Sequence, residues 1–224
     1  MSQSIKDPAE LQSIYELRFS AMLGYRTQVW QILTAAFFQQ WVRPTDAVLD
    51  LGCGYGEFIN QISCREKYGM DLNPQSPAHL APGVKFIAQD CSTRWQLPDS
   101  SLDVVFTSNF FEHLQDKKAL RDTLTEAHRC LKPGGRIIAL GPNIKHVQGA
   151  YWDFWDHFLC LTERSLGEAL ENNGYRITRS LERFLPYSMV GAPRYPSALL
   201  RLYLKLPVLW RLFGKQFLVV AEKI

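Results

Sequence analysis

No two of the five cysteines (Cys53, Cys64, Cys91, Cys130 and Cys160) stand as Cys-x-x-Cys, and none has the spacing of a zinc ligand set. A disulfide framework and a structural zinc site are therefore not expected. Thiols scattered singly through predicted elements read as buried and free, in a reducing compartment. No unbroken apolar run approaches the length that crosses a bilayer. The polar start Met1-Ser-Gln-Ser has neither a basic region nor an apolar stretch behind it, so no secretory signal is expected and the expected location is cytoplasmic. Charge of one sign is also missing: 25 basic against 22 acidic residues leave +3, too small and diffuse a balance for a nucleic-acid partner, and none is expected. There are no internal repeats and no low-complexity tracts. With 46% hydrophobic and 21% charged residues among 224, the composition is that of a soluble globular protein of one substantial α/β domain.

What is present is concentrated in one stretch, Val48-Leu-Asp-Leu-Gly-Cys-Gly-Tyr-Gly-Glu-Phe-Ile59. A hydrophobic strand, Val48 to Leu51, runs into glycines at alternate positions, Gly52, Gly54 and Gly56. Glycine tolerates positive φ and has no Cβ, so a ligand can lie against bare backbone where a helix begins. A dinucleotide fingerprint would need its third glycine one residue later, where Glu57 stands and would repel phosphates. Asp50 likewise suits a cationic ligand. The loop reads as a site for a nucleoside that carries a positively charged amino-acid tail.

Three further segments follow in order. Lys67-Tyr-Gly-Met-Asp-Leu-Asn-Pro74 is a short strand ending in Asp71, whose carboxylate can accept from both hydroxyls of a ribose. The same side chain can cap the turn ahead of Asn73-Pro74, and the roles can coexist. Val84-Lys-Phe-Ile-Ala-Gln-Asp-Cys-Ser92 is a strand ending in Asp90. Leu102-Asp-Val-Val-Phe-Thr-Ser-Asn109 is β-rich and leads into Phe110-Phe-Glu-His-Leu114. Over roughly residues 45–180, and more loosely in the last strand, these motifs resemble the class I S-adenosylmethionine-dependent methyltransferases, in their small-molecule, type 11 and type 23-like branch. The first motif of that family is hydrophobic-hydrophobic-Asp-hydrophobic-Gly-x-Gly-x-Gly.

The resemblance implies an α/β fold: a Rossmann-like three-layer sandwich around a seven-stranded, mostly parallel sheet, with N-terminal helices, an insert before the last strand, and that strand antiparallel between the fifth and sixth. It implies S-adenosyl-L-methionine as cofactor, held by Asp50, Gly52, Cys53, Gly54, Asp71, Leu72, Asp90, Cys91 and Asn109. In the family, the residue at Asp90 accepts from the adenine amino group and the backbone N–H at Cys91 donates to the ring.

Element by element, the pattern predicts N-terminal helices over 1–43, the first from Pro8 through Met22 and the second from about Tyr25 through Phe37. A cofactor core follows over 45–182, with strands at 47–51, 67–71, 84–88, 102–107 and 135–141 and helices at 56–63 and 116–131. Apolar strands alternating with helices call for a parallel sheet covered on both faces. Thr162 to Leu170 reads as a capped helix ended by Asn173-Gly174, Tyr175 to Leu181 as a strand, and 216–224 as the last strand. The insert 183–215 has six basic residues and no acidic one, and 197–213 is rich in leucine with Trp210. It reads first as a helical cover divided by Pro207; contact with a membrane surface or a lipid-linked substrate through 197–213 is the alternative.

Methyl transfer from a sulfonium is an in-line displacement in which the protein aligns the acceptor and excludes water. A hydroxyl acceptor also needs a base. His113, just past the fourth strand, is the first candidate and His157 the second; His146 is a weaker third. His113 could instead be a first-turn helix residue that merely packs or caps. Some ubiquinone-type and RNA-end methyltransferases hold a divalent ion with Glu-x-x-Glu-His at this place. Here Asn109 replaces the first glutamate, which weakens a hard-cation site, so no metal is expected, with His146 or His157 as the residues that could supply a missing ligand. Phe110, Trp152 and Trp155 are candidate acceptor contacts, with Tyr151, Phe154 and Phe158 either joining them or forming a satellite apolar cluster. The expected acceptor is a small molecule or a glycan or lipid intermediate, methylated at a hydroxyl oxygen. The rivals are an N-methyltransferase, which needs no strong base, and a non-catalytic interaction protein on the same fold. A nucleic-acid enzyme is disfavoured because Ser108-Asn-Phe-Phe111 lacks the Asn-Pro-Pro-aromatic signature.

Overall fold

A computed structural model describes residues 12–14, 17–18, 22–187 and 194–224. Seven strands form one sheet: β1 (Ala47–Leu51), β2 (Glu66–Met70), β3 (Val84–Ile87), β4 (Leu102–Ser108), β5 (Leu131–Pro142), β6 (Tyr175–Leu181) and β7 (Gln216–Lys223). Their order is β3-β2-β1-β4-β5-β7-β6, with β7 antiparallel to both its neighbours and all other pairings parallel. This is the expected arrangement, with the last strand between the fifth and sixth. The order reverses between β1 and β4, and at such a switch point the carboxyl ends of the strands open a crevice for a ligand.

Among the described residues, five helices of seven residues or more cover the sheet: α1 (Leu23–Ala36), α2 (Lys117–Cys130), α3 (Glu163–Glu171), α4 (Ser197–Lys205) and α5 (Pro207–Phe213). Alternate residues of the central strands serve opposite layers, as a pleated strand requires. Leu49, Val105, Ile137 and Val219 pack with Leu124 of α2 and Leu166 of α3. Val48, Val104, Ile138 and Leu218 pack on the other face with Trp30 and Leu33 of α1, Leu204 of α4 and Trp210 of α5. Asp116 caps α2 by accepting from the Ala119 N–H at 2.8 Å, and Thr162 with Ser165 forms a reciprocal capping box on α3. Each cap contributes about 1 kcal/mol.

Several expectations are corrected. Residues 56–63 are not a regular helix but a run of turns. Gly56 has φ +76°, outside helical space, and the Ile59 N–H turns to the Asp50 carboxylate instead of a carbonyl in the preceding turn. Strand β5 begins at Leu131, not 135: Leu131 pairs with Leu102, and a shift in register before Val104 absorbs Pro133 and the two glycines within the strand. Of the cysteines, Cys53, Cys91 and Cys130 are buried, but Cys160 is exposed and Cys64 half-buried. The helix expected from Pro8 lies mostly outside the described residues; 12–14 and 17–18 are helical. No helix among the described residues is long and apolar enough to cross a membrane.

Candidate active site

The carboxyl ends of the strands open onto a cavity of about 930 Å³. Gly52 follows β1 with φ +72°, and Gly54 has φ +51°. Both lie in the left-handed region that favours glycine. The loop is tied to the neighbouring strand by the Gly52 and Cys53 N–H groups, which donate to the Met70 carbonyl at 2.9 and 3.1 Å. Phe110 lies so close over Gly52 that a Cβ there would stand 2.3 Å from two carbons of its ring.

Asp71, one residue past β2, accepts from the Gly54 N–H at 2.7 Å through one oxygen and from the Asn73 N–H at 2.8 Å through the other. Each carboxylate oxygen has two lone pairs, so both remain able to accept from a ligand. Burial raises the Asp71 pKa, opposed by these backbone donors. Burial also raises Asp50 well above the carboxylate range, reinforced by the charge of Glu57. Three carboxylates thus converge beside bare glycine backbone, an arrangement that favours a cationic guest and disfavours a phosphate. Arg26 of α1 pairs with Glu57 at 2.6 Å, fixing the first helix over the loop.

On the third and fourth strand tips, Asp90 lies in an Asx-type turn, accepting from the Ser92 N–H and hydroxyl at 2.9 Å. The Cys91 carbonyl accepts from the Trp95 indole at 2.8 Å, while burial pushes its thiol up to about 12, leaving it inert as a nucleophile. Asn109, directly after β4, has φ +49°, a strained conformation for a residue with a side chain, and such strain clusters at functional sites. All nine residues expected around a nucleoside, Leu72 among them, line this one cavity.

Farther along the wall, His113 Nδ1 lies 2.9 Å from the Asp156 carbonyl oxygen and 3.1 Å from its carboxylate Oδ2. Arg18 pairs with the same carboxylate and lies 4.9 Å from the Phe154 ring centroid. The His157 ring sits 4.9 Å from that of His113 and stacks on Phe154. Glu112, His113 and His157 bring three potential ligand atoms within 4.8 Å of one another. Two polar atoms of this wall, His157 Nδ1 and the Tyr187 hydroxyl, are buried with no hydrogen-bond partner among the described residues, which is uncommon in a native protein and leaves both able to meet a ligand.

Burial, then the charge of His113, lowers the His157 pKa from 6.5 to about 4, so the ring is neutral at neutral pH. A histidine depressed by folding costs stability as pH falls, because the unfolded chain takes up its proton first. Between about pH 6.5 and 4 the loss should be on the order of 1–3 kcal/mol. The stability gap between wild type and His157→Gln should therefore shrink from about pH 8 to about pH 5 in chemical denaturation. A gap that stays constant with pH would contradict the placement.

Three expected site residues lie elsewhere. His146 bonds Glu182 Oε1 and the Arg183 guanidinium, both at 2.9 Å, and is not in the cavity wall. Trp152 and Trp155 are 60% and 83% exposed and also stand outside it; Tyr151 of the same cluster is fully buried, its hydroxyl donating to the Leu159 carbonyl. Conversely, Arg18, Tyr187 and the Asp156–His113 contact carried no motif. The nearest sequence signal was the acidic residue beside His157.

Residues 49–139 match the family described as a methyltransferase domain. The chain is 33% identical over 109 residues to phosphoethanolamine N-methyltransferase 1 of Arabidopsis thaliana, covering 43% of this chain and 21% of that protein. It is 34% identical over 134 residues to malonyl-[acyl-carrier protein] O-methyltransferase of Dechloromonas aromatica, covering 57% and 49%. The chain thus spans about a fifth of one curated relative and about half of the other. A crystal structure of a SAM-dependent methyltransferase from Archaeoglobus fulgidus superposes with a TM-score of 0.67 at 22% identity, covering 92% of this chain and 99% of that one.

Proposed function

We propose that this chain, a class I S-adenosylmethionine-dependent methyltransferase by fold and matched domain, methylates a hydroxyl of a small-molecule acceptor, with His113 as general base. S-adenosylmethionine, when bound, supplies an electrophilic methyl on a cationic sulfur. The glycine turn and the Asp50, Glu57 and Asp71 carboxylates suit its adenosyl and amino-acid parts: bare backbone for close approach, anionic oxygens for the positive charge. Asp71 is the candidate for the ribose and Asp90 with Cys91 for the adenine.

One observation carries the choice of base. Both atoms of Asp156 that face His113 Nδ1 are acceptors, so Nδ1 must hold the proton, and the lone pair of the neutral ring then lies on Nε2. Nε2 is the nitrogen able to take the acceptor's proton as the new carbon–oxygen bond forms. Asp156 positions the ring and stabilises the imidazolium that results, as the acid does in a Ser-His-Asp triad. Arg18 pairs with that carboxylate and holds it in place. Tyr187 and His157 supply two uncommitted polar atoms for the acceptor's head group, and the apolar wall formed by Leu199, Leu202 and Phe213 supplies room for a hydrocarbon body.

An amine acceptor is the second reading, supported by buried Glu112 in the same wall, which suits an ammonium group, and by the N-methyltransferase among the relatives. Incubating the chain with methyl-labelled cofactor and a panel of alcohols, phenols and amines, then locating the label by mass spectrometry, separates the readings. Label on oxygen supports the proposal; label only on nitrogen overturns it.

A further inference from the structure

Seven of the thirteen exposed large apolar side chains among the described residues fall between Tyr195 and Phe213. Six of them, Leu199, Leu202, Leu206, Val208, Leu212 and Phe213, belong to the hairpin of α4 and α5 and its Leu206 elbow, and each is between 39% and 65% exposed. This exposure does not come from a loose element. Leu204 and Trp210 are buried in the core on the opposite side, and the Trp210 indole donates to the Tyr203 carbonyl at 2.8 Å, closing the elbow at Pro207. Clustered apolar side chains exposed on an element anchored from behind mark a binding surface.

Charge identifies the occupant. From 194 to 215 the chain carries Arg201, Lys205, Arg211 and Lys215 among its basic residues, and the segment has no acidic residue. A two-fold pairing of this face with a second copy would set these cations against their own counterparts. A phospholipid surface of net negative charge meets both needs at once: acyl chains for the leucines and phenylalanine, head groups for the lysines and arginines. Short helices with an apolar face and basic flanks lie in the plane of such an interface, and none of the described helices could span it.

We propose that the α4–α5 hairpin docks this protein on an anionic lipid surface. Leu199, Leu202 and Phe213 of the exposed face also line the cavity, so docking sets the mouth of the cavity against the acyl region of the bilayer. An acceptor carrying a hydrocarbon tail would then enter without passing through water.

Vesicle flotation with the full chain reads the docking without any methyl transfer, so its failure leaves the active-site reading standing. Vesicles containing phosphatidylglycerol should take up the chain on the order of tenfold better than phosphatidylcholine alone, with uptake falling as salt is raised. Val208 and Leu212 lie outside the cavity wall. The Val208→Asp/Leu212→Asp variant should therefore lose uptake while binding S-adenosylmethionine as the wild type does. No uptake, equal uptake on both lipids, or uptake unchanged in the variant overturns the proposal. So does a dimer in light scattering that the variant dissolves while vesicles take up nothing.

Discussion

His113→Gln is expected to lower kcat for a hydroxyl acceptor by about 10²–10⁴, the range of a lost general base, while cofactor binding stays unchanged. Glutamine keeps a polar side chain of similar reach but cannot accept a proton. Asp156→Asn should have a smaller effect than His113→Gln. The Asp156 backbone carbonyl remains 2.9 Å from Nδ1 and still holds the tautomer, while the carboxylate at 3.1 Å is lost. Because Asp156 acts through His113, its variant should also move the acid limb of the pH profile of kcat/KM, whereas a merely structural change would lower the plateau and leave the limb in place. Initial rates across pH for the three proteins check this. Full activity in His113→Gln would remove the base from the account and favour the amine acceptor.

The second large effect concerns Gly52. Gly52→Ala meets two penalties: φ +72° is unfavourable for any residue with a Cβ, and that Cβ would stand 2.3 Å from Phe110 Cγ and Cδ2. The left-handed conformation alone costs roughly 1–2 kcal/mol. Displacing a buried loop against Phe110 adds to it, and cofactor affinity should fall on the order of a hundredfold or more as the turn is pushed out of place. Gly52→Ala with Phe110→Ala relieves the contact but not the backbone, so the pair should recover only part of the lost stability. Calorimetric affinities and denaturation midpoints of the two single variants and the pair separate the contributions. Wild-type affinity in Gly52→Ala would show that the turn does not cradle the ligand.

Much of the fold was legible in the sequence because each strand core is a short apolar run ended by a polar or glycine punctuation. Tyr175–Leu181 is bounded by Gly174 before and charged residues after, and it forms as predicted. The segment after Gly56 misled because its helical spacing of Phe58, Ile59 and Ile62 is satisfied equally by a chain of turns, once Asp50 takes an amide from it. The strand tips were legible because their polar groups sit at fixed places after apolar runs. The acceptor wall was not. The contact between His113 and Asp156 joins residues 43 apart, Arg18 reaches Asp156 across 138, and Tyr187 arrives on an insert with no motif. Trp152 and Trp155 stand outside the cavity wall because aromatic density along the chain says nothing about direction, and Tyr151 alone of that trio turns inward.

The carboxyl ends of β1 to β4 are proposed to hold S-adenosylmethionine. Isothermal calorimetry of the purified chain with that compound, repeated in buffers of different ionisation heat, tests this most directly. One-to-one binding is expected, with proton release at acid pH, because burial raises the Asp50 pKa in the free protein and a cation beside it favours the ionised form. Affinity should accordingly tighten as pH rises. No binding heat, or binding with no proton release at acid pH and the same affinity in Asp50→Asn as in wild type, would contradict it.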